Sequence, residues 1–388
     1  MWAALKEFLS YQRPEKVGAL SLKSKTSDTA GPSGASDSGI QDSGIPEKLS
    51  FSKVINRETC FPCRLDDFMN YLTYVERNSE NLRFYLWLLK YIEKFAALRE
   101  SEKSLSPMWE SPFLKDRMRL RIDIEGLEEE KTVEIDTSKQ PFRAEVDRIS
   151  QMFLAPLSPF ELNLSGRDRK EVLTALSTTT HPSAFKSVLP QVETSLRQQS
   201  HPNFVRYALS TANHGRVAAM RWGGFILTLV AIALAVGLSL GKVPKIVRVM
   251  VPTSAFFFGV CSFLDGQRSV CLVLWSLGLR DRFAWEKDTD YMCDNQVVEC
   301  DLEKASTISF DIFDGPIPRD EDREAIISKF EKRNVISHVL FGWSTLGGID
   351  PEVRRVQRLI VMQNIGISLA FTIVLGVILL VTPQGNMY

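Results

Sequence analysis

The chain has 388 residues, with 47 Lys and Arg against 47 Asp and Glu, so its formal net charge is +0. The length exceeds one ordinary domain, and a balanced charge leaves no footprint for nucleic acid. Six cysteines are too few for a disulfide framework, and no signal-peptide pattern opens the chain, which puts the N-terminal half in the cytosol.

Residues 1–11 carry Trp2, Leu5, Phe8 and Leu9 at helical spacing, as in a short amphipathic helix. Residues 21–50 are rich in Ser, Gly, Asp and Thr, cannot offset the entropy of ordering, and read as linker. The repeated Asp-Ser-Gly-Ile at residues 37–40 and 42–45 fits linker or a phosphorylation patch. Order is expected from Phe51. Cys60-Phe61-Pro62-Cys63 has a metal-like or redox-like spacing. No second close pair completes a zinc site and no βαβ pattern surrounds it, so it reads as two buried thiols at a domain edge.

Leu65, Phe68, Met69, Leu72 and Val75 follow a three-four repeat, which predicts a helix with that face in the core. After a polar break at Asn78-Ser79, Leu82, Tyr85, Leu86, Leu89 and Ile92 predict a second. Between residues 100 and 141 the pattern fails. Pro107 and Pro112 interrupt it, and Leu120, Ile122, Ile124, Val133 and Ile135 alternate with polar residues like a small hairpin, so this stretch reads as a peripheral insertion. Helical patterning returns at 142–153, 167–176, 183–196 and 203–209, giving an all-α soluble half over residues 51–209.

Residues 210–388 read as a membrane region. Residues 222–240 and 359–381 hold no charge over 19 and 23 positions, enough to cross a bilayer core as helices. Residues 249–264 form a third, shorter candidate containing Pro252, followed by an apolar run at 270–279 that extends a broken span, re-enters, or lies at the surface. Asp265 and Arg268 then mark a turn rather than an ion path. Arg206, Arg216 and Arg221 precede the first span and Arg354, Arg355 and Arg358 the last, which places the N-terminal domain inside and the C-terminus outside. Lys242, Lys245 and Arg248 resist this topology. Gly366 and Gly376 lack the four-residue spacing of a small-residue dimer motif.

No phosphate loop, nucleophile elbow or metal cluster emerges, so neither an enzyme of its own nor a cofactor is expected. The polar junctions at residues 78–81 and 163–168 interrupt apolar helices, and asparagine at such a junction ordinarily caps a helix. Leu65-Asp66-Asp67-Phe68 through Ser79-Glu80-Asn81-Leu82-Arg83-Phe84-Tyr85-Leu86-Trp87 resembles the opening helices of an RGS domain, the regulator of G-protein signalling family. Residues 149–157, Glu161-Leu162-Asn163-Leu164, and Ser200-His201-Pro202-Asn203-Phe204-Val205-Arg206 resemble the rest, in order.

The resemblance implies a helical bundle whose loops clamp the switches of GTP-bound Gα, here interrupted by the insertion and followed by the about three transmembrane helices that the apolar runs predict. It implies stimulation of GTP hydrolysis without an arginine finger, because Gα carries its arginine in cis. Asn81 and Asn163 match the asparagines that face the switches, and Glu80, Ser200 and Asn203 match neighbouring contact positions. The family often has an acid where Gln199 stands and a base where Asn203 stands. The architecture is similar to fungal membrane RGS proteins that include a bud-site-selection protein, implying a plasma-membrane location. It also implies an alternative, a cortical polarity scaffold that binds membrane proteins without stimulating a GTPase. A transporter is disfavoured, because the spans carry almost no polar groups.

Overall fold

The computed structural model describes residues 45–110, 137–282 and 345–383. The expected 1–11 helix, the Asp-Ser-Gly-Ile repeat apart from Ile45, and the expected hairpin at 120–135 lie outside them. Among the described residues the soluble part is all helix. It comprises α1 (Phe51–Ile55), α2 (Leu65–Tyr71), α3 (Ser79–Ala96), α4 (Glu100–Lys103), α5 (Arg143–Ile149), α6 (Gly166–Thr178), α7 (Leu189–Ser195) and α8 (His201–Ala208). Then come α9 (His214–Leu240), α10 (Lys245–Arg268), α11 (Leu272–Leu277) and α12 (Pro351–Val381). The strands β1 (Arg280–Asp281) and β2 (Thr345–Leu346) pair antiparallel.

Leu65, Phe68, Met69 and Leu72 are buried as the repeat predicts, but Val75 is exposed. The cause is local. A π-helical turn, Leu72–Glu76, follows α2, and its wider winding carries Val75 off the core-facing stripe. On α3 the packed stripe is Phe84, Leu88, Tyr91 and Phe95, with Leu82, Tyr85 and Trp87 also buried, whereas Ile92 is exposed and Leu86 and Leu89 only half-buried. Large aromatics decide the rotation. Phe84 lies 5.7 Å from Phe153 and 5.9 Å from Phe185, and Trp87 lies 5.3 Å from Phe185, ring centre to ring centre, so α3 turns its widest side chains inward. The single helix expected at 183–196 is instead a 3-10 turn, Pro182–Phe185, followed by α7, which carries Pro190 in its first turn.

Three further expectations change. Leu49, assigned to linker, is buried, and Ile45 packs on the core. The edges of the insertion are part of the bundle: Ser106 and Gln140 are buried, Ser106 shares a 2.7 Å hydrogen bond with Thr180, and Gln140 donates to the Thr178 carbonyl at 2.9 Å. The Cys60–Cys63 thiols are unlike each other. Cys63 is a buried free thiol whose ionisation burial pushes up, and Cys60 is half-buried and disulfide-bonded.

Among the described residues three helices, α9, α10 and α12, are long and apolar enough to cross a membrane. The short apolar run after α10 does not extend that helix. Ser269 takes a left-handed conformation and ends α10, and α11 turns back so that Leu272 and Trp275 pack on the soluble core. Asp265 in the last turn of α10 accepts from Asn364 of α12 at 2.7 Å and from the Leu272 amide at 3.2 Å, while Arg268 donates to Gln363 at 2.6 Å.

The helical unit of residues 51–209 and α12 share one core. Val353, Val356, Ile360 and Val361 on the first three turns of α12 are buried in the same cluster as Phe51, Phe68 and Phe204. Polar clips reinforce the seam: Asp350 N–H donates to the Phe61 carbonyl at 2.8 Å, Gln357 to the Leu209 carbonyl at 3.2 Å, and Lys48 pairs with Glu352 at 2.6 Å. Thr211 N–H donates to Ser269 at 3.0 Å, and its hydroxyl accepts from Cys271 at 2.7 Å. The domain is therefore docked on α10, α11 and α12, not hung from them.

Candidate functional site

Among the described residues, three π-helical turns punctuate the helical bundle: Leu72–Glu76, Ser150–Leu154 and Leu196–Ser200. Each leads into one of the segments that carry the expected contact residues, residues 77–81, 155–164 and 200–203. Such turns loosen the backbone ladder and recur at functional sites.

The first and third segments are tied together through Glu76. Its carboxylate accepts from the Tyr71 hydroxyl at 3.1 Å, from the Asn78 amide at 3.3 Å and from the Asn203 amide at 2.9 Å. Asn78 also donates to the Ser200 hydroxyl at 3.2 Å. Burial, with the Glu76 carboxylate alongside, pushes the Tyr71 hydroxyl well above its ordinary range, so it remains a donor. Arg77, left-handed at φ 58°, then turns the chain into α3. Asn78 is the residue that precedes the helix, and Glu80 and Asn81 stand half-buried in its first turn. Asn81 is therefore not the cap.

The second segment is fixed from both sides. Arg169 of α6 pairs with Glu161 and donates to the Leu162 carbonyl at 3.0 Å, and Glu161 in turn accepts from the Leu157 amide at 2.8 Å. The Arg169 hydrogen bond holds the Glu161 carboxyl below its usual range. Leu164 N–H donates to the Leu162 carbonyl at 2.9 Å, a γ-turn with Asn163 at its centre and its side chain exposed. Across this loop the buried Arg83 guanidinium lies 4.9 Å from the Phe160 ring, linking α3 to the Asn163 segment. The cap of α6 is Ser165, whose hydroxyl accepts from Asp168 N–H at 3.1 Å. Neither Asn81 nor Asn163 is consumed by helix capping, and both side chains stand without a hydrogen bond among the described residues.

Residues 62–209 match the family model described as Regulator of G protein signaling domain. The helical unit is an RGS domain. No curated protein and no solved structure matches the chain.

Of the five expected contact residues of the RGS domain, Glu80, Asn81 and Asn163 lie at its polar junctions with surface to offer, while Ser200 and Asn203 are turned inward. Ser200 is wholly buried and Asn203 nearly so, and both brace the Glu76 junction. Asn203 thus has an internal task at a position where a base is often found. The supports Glu76, Asn78, Arg83, Phe160 and Arg169 escaped the sequence reading. Glu76 and Asn203 are 127 residues apart, and no local pattern announces their pairing.

Proposed function

We propose that this protein is a membrane-held regulator of heterotrimeric G-protein signalling that binds Gα in its GTP-bound form and accelerates hydrolysis. Asn81 and Asn163 orient the switch segments, Glu80 adds a contact beside them, and Ser200 and Asn203 act indirectly through Asn78 and Glu76. The observation that carries this reading is that both asparagines are held on braced backbone yet are unused by the fold. In this reading the attacking water and the catalytic groups belong to Gα. The chain lowers the barrier by holding the Gα machinery in its reactive arrangement. The spans raise the partner's effective concentration, because a lipid-anchored Gα and a bilayer-held domain search two dimensions.

The arginines flanking α9 and α12 support a cytosolic domain, with the plasma membrane as the site where Gα is met. The disulfide at Cys60 favours an oxidising compartment and pulls the other way. A reporter after Tyr388 decides between them: it should be accessible from outside, and cytosolic accessibility excludes this topology.

Single-turnover GTP hydrolysis by a panel of Gα subunits, with the full chain in lipid nanodiscs, tests the activity. Asn163→Ala should lower stimulation at least about tenfold, since an interface amide that orients a reacting group is a hot-spot position, with the thermal midpoint unchanged. Lost stability with full stimulation would make Asn163 structural. The second reading, a polarity scaffold without GTPase stimulation, is favoured by the inward placement of Ser200 and Asn203, and takes first place if no Gα responds to the intact chain.

A further inference from the structure

The end of the membrane bundle remote from the RGS domain holds a cation that the fold only half uses. Between residues 241 and 250 the chain carries Lys242, Lys245 and Arg248 and no acid. Lys242 and Lys245 are exposed. α10 begins at Lys245 behind Pro244, and no side chain accepts from the amides of its first turn. Those free N–H groups form the positive end of a 24-residue helix.

Arg248 stands in that first turn and is only 3% exposed. Its Nη2 donates to the main-chain carbonyls of Leu379 at 3.2 Å and Thr382 at 3.1 Å, closing the carboxyl end of α12. Its Nε and Nη1, equally buried, find no acceptor. A buried guanidinium with two donor groups unmatched is unfavourable, and an anion such as a phosphate brought to that end of α10 offsets its charge. The first turn of α10 and the last turn of α12 lie at the ends of two spans, the depth at which lipid headgroups are found.

We propose that the N-terminus of α10, with Lys242, Lys245 and Arg248, binds the phosphate of a phospholipid headgroup. The proposal rests on the spanning reading of α9, α10 and α12 and is independent of any Gα. It gives the three cations of this short loop a task that the positive-inside rule leaves unexplained. The guanidinium ties α12 to α10, the lysines and helix amides surround the phosphate, and the acyl chains lie along the apolar helix faces.

The test uses the full chain, delipidated in detergent, with three probes compared by native mass spectrometry and thermal unfolding. Phosphatidylglycerol should remain bound and raise the thermal midpoint. Diacylglycerol of the same chains, which lacks the phosphate, should do neither, and inorganic phosphate at the same concentration should leave the midpoint unchanged. In Arg248→Gln the retained phosphatidylglycerol should fall at least tenfold. Because that change also opens the end of α12, the double variant Lys242→Gln/Lys245→Gln, which leaves every bond of Arg248 in place, should lower retention about threefold or more with unaltered helix content. Equal retention of diacylglycerol, an equal midpoint shift with inorganic phosphate, or undiminished lipid binding by the double variant would each overturn the proposal.

Discussion

The soluble bundle and the membrane bundle close their helices by opposite means. In the RGS domain the helices are held apart by large rings: Phe84, Trp87, Tyr91, Phe153 and Phe185 fill one half of the core, and Phe51, Phe68, Tyr71 and Phe204 the other. In the membrane bundle α9 and α10 meet backbone to backbone. A Cβ on Gly224 would lie 2.4 Å from the Phe263 nitrogen, one on Gly259 2.8 Å from the Thr228 nitrogen, and one on Gly266 2.7 Å from the Arg221 nitrogen. Water rewards burial of apolar area, so bulk stabilises the first bundle. Lipid offers no such reward, and close approach of small residues replaces it.

The comparison breaks first at the seam, where the largest effect is expected. Residues 51–209 expressed alone lose Leu49 and the α12 residues Val353, Val356, Ile360 and Val361 from their core. That fragment should show no cooperative thermal transition, whereas one extended to include residues 45–50 and the membrane region should. A sharp transition in the short fragment would show that the two bundles are energetically separate. Within the RGS domain, Phe84→Ala should cost about 3–5 kcal/mol by chemical denaturation, the cost of removing a buried ring without collapse of its site.

A smaller effect comes from acid. His201 is buried between Phe51 and Phe68 and shares a 2.9 Å hydrogen bond with the Leu49 carbonyl, and its pKa is lowered to about 4, chiefly by loss of solvent. The unfolded chain takes up that proton near pH 6.5 and the folded chain only near 4, so stability falls as pH drops through this window, by roughly 3 kcal/mol in all. His181 is lowered by burial too and adds in the same direction. His201→Gln should flatten the fall between pH 6.5 and 4.5, as measured by midpoint against pH, and an unchanged slope would remove His201 as its source.

The membrane bundle should respond in the reverse sense to the RGS domain. Gly259→Ala adds a methyl and should cost about 1–3 kcal/mol, as overpacking does, read as the loss of intact hairpin in a detergent unfolding series. Gly237→Ala, where nothing lies within 4 Å, is the control and should be neutral. Gly376 belongs to the same logic at an ordinary distance, with Thr253 of the same chain 3.7 Å from its added Cβ.

Local chemistry made much of this molecule readable. Uninterrupted apolar runs of span length admit few alternatives, because a backbone in lipid must satisfy its own hydrogen bonds, and α9 and α12 follow from that. Leu65, Phe68, Met69 and Leu72 repeat at three and four, and the RGS words around Asn81 and Asn163 lie in short contiguous stretches. The misreadings sit where distant parts decide. The rotation of α3 depends on rings from two other segments. The burial of Ser200 and Asn203 depends on Asn78 and Glu76, more than 120 residues earlier. Arg248, a cation on the side of the spans where the flanking charges do not predict one, meets two carbonyls that the end of α12 brings from more than 130 residues away. Sequence alone determined which segments are helical, which can enter lipid, and which words belong to an RGS domain, since each is set by neighbours along the chain. Only the tertiary structure decided which of the five expected contact residues face outward and that α12 completes the domain's core, because hydrogen bonds and close packing are settled by groups that meet in space.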